Sequence, residues 1–195
     1  ALPFRLSELM HSRHIREGVL LSTCNRMEIY VAVDPAERAL GIRALRTFLE
    51  DGFHVSQEAF EPYLYIKEQG RAVRHLFRVA CGLDSMVIGE TQILGQVKQA
   101  FLLAQQLGTT DALFNSLFKQ AITLAKRAHA ESSINDNPVS VSYAAVELGK
   151  RIFGGFAGKT VMIIGAGKMS ELTVKHLRSG GADKVVVVNR TYAKA

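Results

Sequence analysis

Apolar and polar positions alternate in two different rhythms along the chain. Near the start, Val19-Leu20-Leu21 and Ile29-Tyr30-Val31-Ala32-Val33 form compact runs rich in β-branched and aromatic residues, and they predict two strands. A polar break, Ser22-Thr23-Cys24-Asn25-Arg26, separates them. Helical spacing then takes over. Leu40, Ala44, Leu45 and Phe48 predict a helix from Pro35 to Leu49 that stops at Asp51-Gly52. Tyr63-Leu64-Tyr65-Ile66 reads as a short strand, and Arg71 to Cys81 as a helix with Val73, Leu76, Phe77 and Ala80 on its inner face. Gly82 to Gly89, "GLDSMVIG", reads as a turn region. Two amphipathic helices follow, Glu90 to Leu107 (Ile93, Val97, Ala100, Phe101, Ala104) and Asp111 to Glu131 (Leu113, Leu117, Ala121, Leu124, Ala128). "ESSINDNPVS" interrupts the helical pattern, with Ser140 or Ser142 the expected cap of a helix running to Phe153.

The rhythm changes again after Phe153. "GGFAGKTVMIIGAGKMS" reads as a Gly-rich joint, a buried apolar strand and a glycine loop entering a helix, and "ADKVVVVNRT" supplies a second buried strand. This is the opening βαβ unit of a nucleotide-binding domain, beginning near Gly158. In Gly165-Ala166-Gly167-Lys168-Met169-Ser170 the first glycine permits a tight turn, and the second lets a pyrophosphate approach the helix N-terminus. Ser170 replaces the third glycine and is small enough to let helix pack on strand. Where an NAD binder carries Asp or Glu after the second strand, this chain has Asn189-Arg190-Thr191. A cation and a hydroxyl there suit a 2′-phosphate, so NADP(H) is the expected cofactor rather than NAD(H).

Composition narrows the class. With 48% apolar and 22% charged residues the chain is an ordinary globular sequence, not a disordered one. No apolar run reaches the roughly 18 residues of a membrane span, and no charged-then-apolar leader precedes the fold, so a cytoplasmic location is expected. The first residue, Ala1, and the closing "NRTYAKA" are expected to be cuts through a longer protein. The net charge of +6 sits mostly at the end: residues 158–195 hold seven Lys/Arg against two Asp/Glu, while residues 1–157 hold 17 against 16. A small phosphate ligand accounts for such a surplus, so bulk charge neither demands nor excludes RNA. Lys98 and the Lys126-Arg127-His129 cluster lie within reach of RNA phosphates on paper, but read first as solvated helix faces.

The two cysteines, 57 positions apart, make neither a disulfide framework nor a metal site. Cys81 closes an apolar helical stripe and reads as packing. Cys24 stands at a polar strand junction beside Arg26, a cation that favours the thiolate. Beside a nicotinamide domain, such a cysteine is a candidate nucleophile that forms a thioester for reduction; a small buried hydrophobe is the other reading, and local chemistry leaves both open.

"STCNRMEIY", "HLFRVACGLDSMVIGETQILGQVKQAF", "NPVSVSYAAVELGKRIF" and "GAGKMSELTVKHL…VVVVNRT" together resemble the glutamyl-tRNA reductase family, in the family's order and over almost the whole chain. The resemblance implies an α/β chain: an α+β catalytic, glutamyl-tRNA-binding domain over residues 1–139, lacking the family's first strand. A connecting helix and Gly-rich joint (140–157) and the start of an NADPH-binding Rossmann domain (158–195) would follow. It implies NADPH-dependent reduction of glutamyl-tRNA(Glu) to glutamate-1-semialdehyde, the first step of the C5 route to tetrapyrroles. Cys24 would take the glutamyl group and His75 would move protons. Arg26 would hold the substrate carboxylate, and Thr23 and Asn25 would orient the glutamate. Ser85 and Gln92 would contact the glutamyl group, with Asp84 and Glu90 shaping that loop. Gly165 to Ser170 and Asn189, Arg190 and Thr191 would bind the cofactor, and no metal is implied. A homodimer of the full-length protein, a glutamate-1-semialdehyde aminomutase partner and domain motion about Gly154–Gly158 are further implications.

Two rivals remain at this stage. A shikimate-type dehydrogenase shares the nucleotide loop but needs no cysteine. A non-catalytic tRNA-binding or regulatory protein keeps the fold without Cys24 chemistry. Without the resemblance, His75 reads as a hydrogen-bonded helix histidine, Asp84 and Ser85 as turn residues, and Gln92 with Gln96 as a solvated face.

Overall fold

The computed structural model describes residues 2–23, 25–85, 89–90, 92–132, 141–191 and 193. The chain divides into two compact units, Ala1–Asp136 and Asn137–Ala195, each an α/β assembly around one small sheet.

In the first unit, helix α1 (Leu2–Leu9) leads into the antiparallel pair β1 (Glu17–Ser22) and β2 (Met27–Ala32), in register from Glu17 opposite Ala32 to Ser22 opposite Met27. A 3₁₀ turn (Pro35–Glu37) opens α2 (Arg38–Phe53), which His54 ends in the left-handed region at φ 55°. A short α3 (Gln57–Phe60) and a second 3₁₀ turn (Glu61–Tyr63) precede α4 (Gly70–Ala80), α5 (Gln92–Gln106) and α6 (Ala112–Glu131).

β1 is buried along all but its last residue because α5 packs on it and α1 closes the other side. The approach is close at Gly18, where a Cβ would lie 3.0 Å from Met10 Sδ and 3.5 Å from Leu6 Cδ1 and would push those side chains aside. The free edge of β1 is covered by the α5–α6 turn. There the Gly18 N–H donates to the Thr109 carbonyl at 2.8 Å and the Thr109 hydroxyl to the Gly18 carbonyl at 2.9 Å. The buried Glu17 carboxylate accepts from the Asp111 and Phe114 N–H groups at 2.7 and 2.9 Å. It thereby caps α6, which has no side-chain cap of its own, and sits at the positive end of the helix dipole. Phe118 stacks on Phe101 at 5.3 Å and meets Phe114 and Tyr30 edge-on, so α5, α6 and β2 share one aromatic centre.

The second unit holds α7 (Val141–Phe153), β3 (Thr160–Ile164), α8 (Lys168–Ser179) and β4 (Lys184–Val188). The strands pair in parallel, Thr160 beside Lys184 through Ile164 beside Val188, with α8 as the crossover. Val146, Phe156 and Leu177 form its core against Val161, Ile163 and Val185.

Several expectations change. Tyr63–Ile66 is no strand: a 3₁₀ turn ends at Tyr63 and residues 64–68 run without regular structure. In α6 the buried stripe is Phe114, Phe118, Ala121 and Ala125, and Leu113 is exposed, because the aromatic centre draws the larger rings inward. In α4 the buried face is His75, Leu76, Val79 and Ala80, while Val73 is exposed. Ser142 is no cap but a buried residue inside α7, donating to the Met169 carbonyl at 3.3 Å; Ser140 lies outside the described residues. β3 is only half buried, with Met162 and Ile164 exposed, because α7 and α8 cover one face of the pair. The Gly154–Gly158 stretch, expected as a joint between domains, lies inside the second unit, where Phe156 is buried with Val146 and Leu177.

Candidate functional site

Side chains alternate across a strand, so Arg26, Glu28 and Tyr30 fall on one face of β2 and its approach. Glu28 is buried, its side chain only 5% exposed. A carboxylate in that position needs donors on every lone pair, and the fold supplies four. Its Oε1 accepts from Arg26 Nη1 at 2.8 Å, from His75 Nε2 at 2.9 Å and from the Tyr65 hydroxyl at 2.7 Å. Its Oε2 accepts from the Tyr30 hydroxyl. Three separate parts of the chain meet there: β2, the 64–68 segment and α4.

Burial pushes the Glu28 pKa up, but the hydrogen bonds from Tyr30, Tyr65, His75 and Arg26 outweigh it and hold the carboxyl below its ordinary range. Burial and the adjacent Glu28 charge push the Tyr30 and Tyr65 hydroxyls well up, so both stay neutral donors. Burial opposes charge on Arg26 as well; Glu28 and Asp84 more than offset it and keep the guanidinium charged. With Glu28 ionised, its contact to His75 requires a proton on Nε2 and turns Nδ1 away from the carboxylate.

Arg26 also donates through Nη1 to Asp84 Oδ2 at 2.9 Å and through Nη2 to the Asp84 carbonyl, tying the turn after α4 to the hairpin. That turn closes where the Gly89 N–H donates to the Gly82 carbonyl at 3.1 Å. Gly82 has φ 74°, and a Cβ on it would lie 3.0 Å from the Glu90 carbonyl oxygen, so only glycine serves.

The hairpin connection is held by a Thr23 turn. The Asn25 and Arg26 N–H groups donate to Thr23 Oγ1 at 3.2 and 3.1 Å, and the Thr23 N–H donates to the Arg26 carbonyl at 2.9 Å. Thr23 thus shapes the connection, and Asn25 is exposed. Cys24, the candidate nucleophile, lies outside the described residues. Ser85 and Glu90 are half-buried and Gln92 is the exposed first residue of α5; among the described residues none hydrogen-bonds to the Glu28 cluster. Cys81 is buried in the core, and burial pushes its thiol pKa up, which suits packing. A cavity of about 490 Å³ lined by Leu9, His14, Leu40, Arg43 and Asp51 shares no residue with this cluster.

In the second unit, Gly165 takes φ 111° and its N–H donates to the Val188 carbonyl at 2.7 Å, locking the loop to the end of β4. Ser170 Oγ lies 3.8 Å from where a Gly165 Cβ would stand, so serine at the third position packs closely on the first glycine. Gly167 caps α8 without a side chain, and a Cβ there would meet nothing within 4 Å. The N-terminal N–H groups of α8, at Lys168, Met169 and Ser170, are therefore open to an anion, with Ala166 half-buried beside them. Asn189 Nδ2 donates to the Thr191 carbonyl at 2.9 Å, and Arg190 is exposed just past β4. This loop fits the phosphates of a dinucleotide.

Sequence reasoning missed Glu28, Tyr30 and Tyr65. The period of two from Arg26 marked the first two, since a glutamate on the face of an arginine and a tyrosine in an otherwise apolar strand is a polar group in need of partners. Tyr65 carried no local signal, because its partners come from β2 and α4.

The family model described as glutamyl-tRNAGlu reductase, N-terminal domain, matches residues 2–132, and that of shikimate / quinate 5-dehydrogenase matches residues 147–195. Curated relatives named glutamyl-tRNA reductase include those of Paenibacillus macerans, 61% identical over 100% of this chain and 44% of its own length, and Brevibacillus brevis, 60% identical over 96% and 41%. Among solved structures, glutamyl-tRNA reductase from Methanopyrus kandleri is 38% identical with a TM-score of 0.61, covering 99% of this chain and 45% of that one. The chain thus spans less than half the length of these relatives.

Proposed function

The chain belongs to the glutamyl-tRNA reductase family, and on that premise we propose that it takes the glutamyl group of glutamyl-tRNA(Glu) onto Cys24 as a thioester that is then reduced to glutamate-1-semialdehyde. The observation that carries this reading is the buried Glu28–His75 pair beside the Thr23–Arg26 connection.

The chemistry follows from the charges. An aminoacyl ester is already activated, so a thiolate displaces the tRNA 3′-oxygen without further energy input. The S–C bond forms as the C–O bond to the ribose breaks. His75 takes the Cys24 proton at Nδ1 and returns it to the departing oxygen, while Glu28, ionised on Nε2, stabilises the imidazolium in between. Arg26 is held by Glu28 and Asp84, so a substrate carboxylate reaches the guanidinium by replacing Asp84. Thr23 sets the connection's shape, Asn25 faces the substrate, and Ser85, Glu90 and Gln92 line the far side. Gly165 to Ser170 would hold the pyrophosphate of NADPH and Asn189, Arg190 and Thr191 its 2′-phosphate, and the cofactor, when bound, would supply the hydride that forms the aldehyde C–H bond as the C–S bond breaks and Cys24 leaves as thiolate. In this reading residues 1–139 carry acyl transfer, 140–157 connect, and 158–195 open the cofactor domain. The working enzyme is a cytoplasmic homodimer that passes its aldehyde to an aminomutase.

The test is NADPH-dependent aldehyde formation from glutamyl-tRNA by a chain built out to its relatives' length. The reading predicts turnover in the wild type and none in Cys24→Ala. A shikimate-type dehydrogenase would instead reduce a shikimate-like ketone with Cys24→Ala fully active. A non-catalytic binder would retain tRNA with no aldehyde in either form.

A further inference from the structure

Tyr65 stands where no sequence pattern placed it, and its contacts converge on one atom. Its hydroxyl donates to Glu28 Oε1 at 2.7 Å, the oxygen that also receives His75 Nε2 at 2.9 Å. The same hydroxyl lies 3.4 Å from His75 Nε2, and the two rings meet edge-on with centroids 5.5 Å apart and planes at 73°. We propose that Tyr65 is a positioning residue for the His75–Glu28 pair, its hydroxyl setting how strongly Glu28 holds the imidazole. This rests on the acyl-transfer role given to His75 above.

Tyr65 differs from the other donors to Glu28. Tyr30 serves Oε2 from inside the aromatic core, edge-on to Phe118. Arg26 is fixed by Asp84, and His75 sits on a helix. Tyr65 comes from irregular chain and is 52% exposed, yet its hydroxyl reaches a buried carboxylate. Its segment is anchored where it runs into α4. Glu68 takes the Arg38 guanidinium of α2 through both oxygens, with Arg38 Nη2 at 2.6 Å from Oε1, and Gln69 turns the chain into α4 at φ 50°, a conformation that costs a non-glycine residue free energy. Anchored irregular backbone next to a polar cluster is how a side chain is aimed at a site.

The consequence is electrostatic. Glu28 Oε1 shares its charge among three donors, Arg26, His75 and Tyr65. The charged groups around them are Arg26 beside β2, Asp84 after α4 and Lys67, whose Nζ lies 5.0 Å over the Tyr65 ring. Removing the tyrosine hydroxyl leaves more of the carboxylate's charge on the Nε2 proton. That tightens the Glu28–His75 hydrogen bond and slows return of the proton to the leaving oxygen. Binding of tRNA does not pass through this atom.

The experiment compares Tyr65→Phe with wild type in the full-length protein, labelled with ¹⁵N-histidine; His75→Gln assigns the His75 nitrogen signals. The expected result is a displaced His75 Nε2 resonance in Tyr65→Phe, the mark of a tighter hydrogen bond to Glu28, with glutamyl-tRNA affinity unchanged. A positioned proton-transfer group is worth roughly 10²- to 10⁴-fold, and we expect the variant to forfeit about tenfold of that in single-turnover acyl transfer. Identical His75 nitrogen signals in both proteins overturn the proposal. If the wild type transfers no acyl group at all, the acyl-transfer reading fails, and the nitrogen signals alone still decide whether Tyr65 tunes the pair.

Discussion

A glutamate whose side chain is 5% exposed ordinarily meets a strong pull toward its neutral form, since burial disfavours charge. Glu28 stays ionised because four donors face it, and that has a consequence for stability. A carboxyl whose folded pKa is depressed stabilises the native state above its unfolded value, here 4.5, and loses that contribution as pH falls through the lower folded value. Acid unfolding of wild type should therefore steepen below about pH 4.5, and Glu28→Gln should flatten that limb; chemical denaturation across pH 3–7 reads it. The two cysteines should separate as cleanly. Cys81 is packed among Leu76, Val79 and Ala80, so Cys81→Ala should cost about 1 kcal/mol in denaturant melts while leaving acyl transfer intact.

At the level of elements, α6 begins where a strand residue caps it. Glu17→Ala should destabilise the first unit by about 1–2 kcal/mol in thermal melts, the magnitude of a lost cap at a helix end. Gly82→Ala should cost about 1–2 kcal/mol for its left-handed backbone alone, and more for the 3.0 Å contact with the Glu90 carbonyl, with Asp84 displaced from Arg26. A fall in stability with acyl transfer untouched would show that the Asp84 turn does not shape the site. These elements also show what was legible beforehand. The hairpin, α5 and the glycine loop follow from period and turn chemistry that each stretch contains within itself. The inner faces of α4 and α6 did not, because Val73 and Leu113 are as apolar as their neighbours, and rotation is decided by residues on other elements: Glu28 of β2 for α4, and Phe101 of α5 and Tyr30 of β2, which meet Phe118, for α6. Tyr65 read as a strand residue for the same reason: β propensity was local, whereas its partners were not. Arg26 was marked locally as the cation beside Cys24, its substrate role and that of His75 came through family motifs, and Glu28 between them was passed over.

Across the whole molecule, the two units have separate cores, and the proposed reading gives acyl transfer to the first and cofactor binding to the second. The net charge of +6 lies in the second unit, whose residues 137–195 hold nine Lys/Arg against three Asp/Glu, and exposed Arg190 follows β4. Arg190→Ser should weaken NADPH about tenfold and leave NADH little changed, read by cofactor titration, since the guanidinium answers only to the extra phosphate. Equal losses for both cofactors would show that Arg190 acts on the loop and not on the 2′-phosphate. Among the described residues no helix is long and apolar enough to cross a membrane. The account as a whole stands on the thioester at Cys24, and the most direct measurement is acid-stable label on the protein after mixing the full-length chain with radiolabelled glutamyl-tRNA in the absence of NADPH. Label that survives Cys81→Ala and disappears with Cys24→Ala is the predicted result. Label unaffected by Cys24→Ala, or tRNA bound with no label at all, would contradict it.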